Sequence, residues 1–170
     1  MAIEIERRFR VASAVWRASV ARSTRITQGY LAITQDSVIR VRVRDTQGYV
    51  TIKSRDGGLA RQEFEYAIPL ADATSLLNLC GRRILAKIRH EINYGGFCWE
   101  VDEYLAPLDN LIVAEVELRS ESEDPPRPPW VGEEITHDGS FSNAALAERI
   151  ETSCGAGPAQ APLHPTPPRR

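Results

Sequence analysis

Two carboxylates and a guanidinium occupy alternate positions at the start of the chain, in Ile3-Glu4-Ile5-Glu6-Arg7-Arg8-Phe9. On an extended strand, side chains alternate between faces, so Glu4, Glu6 and Arg8 share one side while Ile3, Ile5 and Phe9 share the other. The motif recurs: Arg40/Arg42, Glu63/Glu65, Lys87/Arg89, Glu100/Asp102 and Glu115/Glu117 are like-charged pairs two residues apart, each interleaved with apolar residues. Like charges side by side on a sheet repel, and Glu is a weak strand former. A chain that repeats this pattern over six strands needs the charged faces to meet opposite charges or a cation.

The alternation and the turn residues between segments set the element order. Strands are expected over 1–11, 23–33, 37–45, 49–55, 61–69, 83–93, 97–105 and 111–119, eight in all. Asp45-Thr46-Gln47-Gly48, Asp56-Gly57-Gly58 and Tyr94-Gly95-Gly96 read as their hairpin turns. Helical spacing predicts helices over 12–22, 70–80 (closed by Gly81) and 142–150 (with Ser142 or Asn143 as N-cap). Residues 120–129 read as a connector, and the Pro- and Ala-rich stretch from residue 153 as a disordered tail after a single domain of residues 1–152.

Two architectures satisfy the alternation. One is a sandwich whose charged face is solvated; the other is a mainly β, α+β fold in which an eight-stranded antiparallel barrel turns its charged face inward, with a few helices outside. The coincidence over six strands favours the barrel. Outward apolar residues such as Val41, Ile52, Phe64 and Val116 then need cover, from helices or from a second chain across one wall, and a homodimer is the expected assembly. A charged lumen is a poor source of stability, because desolvation must be offset by pairing, water or bound ions. It suits a compact, highly anionic ligand held together with a divalent cation: carboxylates ligate Mg²⁺ or Mn²⁺, and Arg and Lys grip phosphate oxygens. The net charge of −2 offers no general basic field for nucleic acid. No apolar run approaches membrane-helix length, the three cysteines lack metal-ligand spacing, and a cytoplasmic location with reduced thiols is expected. His90 has outward parity, and His137 and His164 fall in irregular segments, so no nucleophilic triad is visible.

Glu4-Ile5-Glu6-Arg7-Arg8-Phe9 resembles the N-terminal Glu-x-Glu-x-Lys signature of the CYTH domain, the triphosphate tunnel metalloenzyme superfamily. The likeness continues in order through Gln28-Gly29-Tyr30-Leu31, Arg40-Val41-Arg42, Thr51-Ile52-Lys53, Arg61-Gln62-Glu63-Phe64-Glu65, Lys87-Ile88-Arg89, Glu100-Val101-Asp102, Glu115-Val116-Glu117 and Gly132-Glu133-Glu134-Ile135-Thr136. The resemblance implies an eight-stranded tunnel that binds a triphosphate-containing small molecule and hydrolyses it with Mg²⁺ or Mn²⁺. Inorganic triphosphate is the leading substrate; nucleoside or thiamine triphosphate hydrolysis, adenylate cyclisation and non-catalytic polyphosphate or nucleotide binding are the alternatives. It also implies roles. Glu4, Glu6, Asp102, Glu115 and Glu117 are expected to ligate metal, with Glu63, Glu65 and Glu100 in support. Arg8, Arg40, Arg42, Lys53, Lys87 and Arg89 are expected to bind phosphate, and Tyr30 and Arg8 to serve catalysis. Arg8 departs from the signature lysine: its guanidinium stays protonated at any accessible pH, so phosphate binding suits it better than proton abstraction, and hydrolysis is expected at a reduced or altered rate.

Overall fold

The computed structural model describes residues 2–55 and 60–153. Apart from Ser153, which ends helix α2 three residues beyond the expected Ile150, the expected tail lies outside the described residues, as do Cys154 and the Asp56-Gly57-Gly58 turn. Strands β1 (Ala2–Val11), β2 (Arg22–Ile33), β3 (Ser37–Arg44), β4 (Gln47–Ser54) and β5 (Ala60–Ile68) precede helix α1 (Leu70–Asn78). Then come β6 (Ile84–Tyr94), β7 (Phe97–Tyr104), β8 (Ile112–Glu117), β9 (Val131–Glu134) and helix α2 (Asn143–Ser153). All pairings are antiparallel, in the order β5-β4-β3-β2-β6-β7-β8-β1-β9, and β5 also pairs with β1, which closes eight strands into a barrel.

The closure rests on β1. Its first half pairs with β5 (Glu4 opposite Arg61), its middle with β8 (Glu6 opposite Glu117, Arg8 opposite Glu115), and its end with β9 beyond a register shift. The ninth strand is a departure from the expected eight. Four residues after a proline-rich connector carry too short an alternation to stand out, and β9 exists because β1 outruns β5 and leaves backbone donors and acceptors to satisfy. The segment expected to be a helix over 12–22 is instead a short 3₁₀ helix, Ala14–Ser19, with β2 beginning at Arg22. Only Trp16 is buried there, while Val15 points to solvent, so no apolar stripe existed to hold a longer helix. Helix α1 stops at Asn78, two residues before the expected end; Gly81, with φ of 61°, shapes the turn that follows. The Ser142 cap is as expected, its Oγ accepting from the Ala145 N–H at 3.2 Å.

The apolar faces are covered unevenly. Phe9, Trp16, Trp99, Val101, Val116 and Trp130 form a core outside the β1–β6–β7–β8 wall, roofed by the 3₁₀ helix and the connector. Helix α1 lies over β2, β3 and β4 and buries Val41; a Cβ on Gly48 would come within 2.6 Å of Ala73, so that approach needs a glycine. Ile52 and Phe64 remain 38% and 37% exposed on the β4–β5 wall, the face a second chain would have to cover. His90 serves structure: its ring packs tilted against Trp16, centroids 4.9 Å apart, and it shares a hydrogen bond with Ser23 Oγ at 2.8 Å. Cys80 and Cys98 are free thiols. Among the described residues no helix is long and apolar enough to cross a membrane.

A second apolar cluster lies inside the barrel, at one end. Val38, Leu85, Tyr104 and Val113 continue the inward parity of Arg40, Lys87, Asp102 and Glu115, and Leu146, Ala147 and Ile150 of α2 pack onto them. The lumen is therefore a charged cup with an apolar floor, and α2 is the plug. Leu146 is fully buried there. Leu146→Ala is expected to lower unfolding free energy by about 3 kcal/mol, measurable as a lower urea midpoint at unchanged slope.

Candidate active site in the barrel lumen

The inner faces line a cavity of about 440 Å³. Of the sequence-predicted residues, Glu4, Glu6, Arg8, Tyr30, Arg40, Arg42, Lys53, Glu63, Glu65, Lys87, Arg89, Glu100, Glu115 and Glu117 all line it. Asp102 lies behind this lining.

Charge is arranged by wall. On β3–β4–β5, Glu65 Oε2 accepts from Arg42 at 2.6 Å and from Thr51 Oγ1 at 2.8 Å, with Arg40 at 3.4 Å. Lys53 Nζ bridges Glu63 at 2.9 Å and Glu4 at 2.6 Å. On the facing β6–β7–β8 wall, Arg89 donates to Asp102 at 2.6 and 2.7 Å, to Glu115 at 2.7 Å, and pairs with Glu100. Asp102 also takes Lys87. With both oxygens engaged by cations and no exposure, Asp102 sits as the counter-ion of Lys87 and Arg89.

Burial pushes the Asp102 carboxyl up, but Arg89 and Lys87 outweigh it and hold it well below the usual carboxylate range. Burial lowers Lys87 in turn, against the pull of Asp102. Glu115 goes the other way: burial, Glu6 and Asp102 raise it to about 7 in spite of the contact with Arg89. Glu117 is raised too, by burial and by Glu4, Glu100, Glu63 and Glu6 around it. Glu117 has no hydrogen bond or ion pair among the described residues, and it faces Glu6 directly across β1–β8.

Arg8 is deep in this region, its side chain 8% exposed, its Nε 3.7 Å from Glu6 and without a hydrogen-bond partner among the described residues. Tyr30 is buried; its hydroxyl oxygen accepts from Gln28 Nε2 at 2.9 Å, and burial raises its pKa, so it stays neutral with its own O–H left to donate.

Sequence reasoning missed three contributors. Arg61 lines the cavity and donates to Glu6 at 2.5 Å. Its signal was available, because it shares the parity of Glu63 and Glu65. Thr51 and Asn143 carry no charge, and Asn143 comes from a helix, so strand parity could not reveal it.

The comparisons agree with this geometry. The CYTH domain matches residues 2–145. The chain is 37% identical over 149 residues to an inorganic triphosphatase of Acetivibrio thermocellus (87% of this chain, 95% of the relative) and 36% over 151 residues to one of Nitrosomonas europaea (86% and 98%). It also resembles a crystal structure of the inorganic triphosphatase NE1496, 33% identical, with a TM-score of 0.64 over 86% of this chain and 95% of that one. The closed, charge-lined barrel and these likenesses lead to one assignment: the chain belongs to the CYTH domain family.

Proposed function

We infer that this chain hydrolyses inorganic triphosphate, with water attacking a terminal phosphorus and pyrophosphate leaving, so that tripolyphosphate yields pyrophosphate and phosphate. The observation that carries the reading is the single cavity onto which two basic walls and a carboxylate cluster converge, in a chain 36–37% identical to inorganic triphosphatases. Arg40, Arg42 and Lys53 from one wall and Lys87 and Arg89 from the other supply cations at fixed positions along a linear polyanion. Arg8 adds a permanent charge, and Tyr30 a neutral O–H donor. Phosphoryl transfer needs little covalent participation from a protein; orientation and neutralised charge do most of it.

The donor set fits a divalent cation. Glu4, Glu6, Glu115 and Glu117 are hard oxygen donors on neighbouring strands, and Glu117, without an ion pair among the described residues, sits among like charges that a cation would relieve. Among the described residues no three acidic, His or Cys side chains are already gathered at ligating distance. Glu4 and Glu6, which accept from Lys53 and Arg61, would hold the ion in place of those partners. Mg²⁺ or Mn²⁺ bound there would supply Lewis-acid neutralisation of phosphoryl oxygens.

The test is phosphate release from tripolyphosphate, ATP and thiamine triphosphate with Mg²⁺ or Mn²⁺. Tripolyphosphate is expected to be the best substrate, and EDTA to lower turnover at least about a hundredfold. Cyclic AMP formation from ATP, or a higher kcat/KM on an organic triphosphate, would overturn the assignment.

A further inference from the structure

The floor of the lumen carries one polar group that no strand supplies. Asn143, at the start of α2, lines the cavity together with Ser142 and Ala144. Its Oδ1 accepts from Lys87 Nζ at 3.3 Å and from Tyr104 Oη at 2.7 Å. Because an ammonium group can only donate, these contacts fix which end of the carboxamide faces them. The Nδ2 end is opposite, with two N–H donors and no protein partner among the described residues. Lys87 is in the same condition: two of its three donors go to Asp102 and Asn143, leaving one. Both stand where the charged lumen meets the apolar plug of Tyr104, Val113, Leu146 and Ala147, beyond which no charged side chain continues the inward faces of β6 and β8.

We propose that Asn143 is a substrate-contacting specificity residue, whose Nδ2 donates to the innermost phosphoryl group of a triphosphate entering end-on. The inference rests on the triphosphatase reading and adds polarity to it: the plugged end receives a free chain terminus. A terminal phosphoryl carries three non-bridging oxygens, which suits a site offering a neutral amide, one ammonium donor and the positive end of α2. An esterified end carries a bulky group in place of one terminal oxygen and so offers these donors one acceptor fewer. An organic triphosphate is therefore expected to enter with its free end first.

Asn143→Asp separates a ligand role from a structural one. Aspartate keeps both acceptor contacts and is favoured in the first turn of a helix, so the fold should be at least as stable as wild type. It loses the donors. Tripolyphosphate binding measured calorimetrically without divalent metal is expected to weaken about thirtyfold in Asn143→Asp, with KM rising in parallel in the metal-loaded enzyme and kcat changing less. Asn143→Ala, which removes the donors without adding charge, should weaken binding about fivefold. Binding by Asn143→Asp within twofold of wild type, or a loss confined to Asn143→Asp while Asn143→Ala binds normally, would overturn the proposal. If the wild type binds tripolyphosphate with this Asn143 dependence yet releases no phosphate, the functional reading fails and the contact stands. If the wild type does not bind at all, both fall.

Discussion

Glu115→Gln should abolish triphosphate turnover and yet raise the thermal stability of the metal-free protein at pH 8. The two effects have one origin. Glu115 is buried beside Glu6 and Asp102, and its folded-state pKa of about 7 stands above the ordinary carboxylate value. A group whose proton is held more tightly in the folded than in the unfolded state contributes most stability when protonated in both. That contribution is intact below about pH 4.5 and is lost as pH rises to about 7, amounting to about 3 kcal/mol above that point. Glutamine is isosteric, can still accept from Arg89, and carries no charge to desolvate. The variant should therefore lack this part of the wild-type stability loss between pH 5 and 7, read from melting curves in EDTA. Asp102, held low by its cations, titrates in more acid conditions and does not overlap.

Activity is expected to move oppositely: in the proposed metal-binding role, the charge that destabilises the metal-free fold is a charge that would hold the divalent cation. Losing one of the four proposed carboxylate donors, and its share of the charge neutralisation in phosphoryl transfer, is expected to lower kcat at least about a thousandfold, equivalent to roughly 4 kcal/mol. A variant that retains wild-type turnover, or that melts with the same pH slope as wild type, would refute this account of Glu115.

How far the sequence alone led can be traced residue by residue. Lumen parity was legible because it is a consequence of a two-residue period, and the recurrence of same-face charges over six strands favoured an enclosed lumen over a solvated sandwich face. Arg40, Arg42, Glu63 and Glu65 landed where alternation placed them. What stayed hidden was whatever parity does not encode. The switch from charged to apolar along one inward face, as from Arg40 to Val38 or from Glu115 to Val113, looks in sequence like the end of a motif; in the fold it is the floor of the cup. The approach of Asn143 to Lys87 spans 56 residues of chain and depends on where α2 docks. Asp102 shows a third limit: its place in the alternating series marks it as inward-facing, but only the fold shows that Lys87 and Arg89 already engage both its oxygens.

That distinction gives the second large expectation. Asp102→Ala removes the shared acceptor of Lys87 and Arg89, of which Lys87 is almost wholly buried and, among the described residues, has only the neutral Asn143 as its other hydrogen-bond acceptor. Breaking a buried pair from one side leaves uncompensated charge and typically costs 3–5 kcal/mol; about 4 kcal/mol is expected here, seen as a lower urea midpoint. The uncompensated cations should then seek another anion. Tripolyphosphate without metal should restore more stability to Asp102→Ala than to wild type, because it supplies negative charge where the carboxylate was removed. Divalent-cation affinity, measured without phosphate, should change by less than threefold, since the oxygens lost were already engaged by Lys87 and Arg89. A metal affinity reduced tenfold or more, with stability near wild type, would instead return Asp102 to the ligand set.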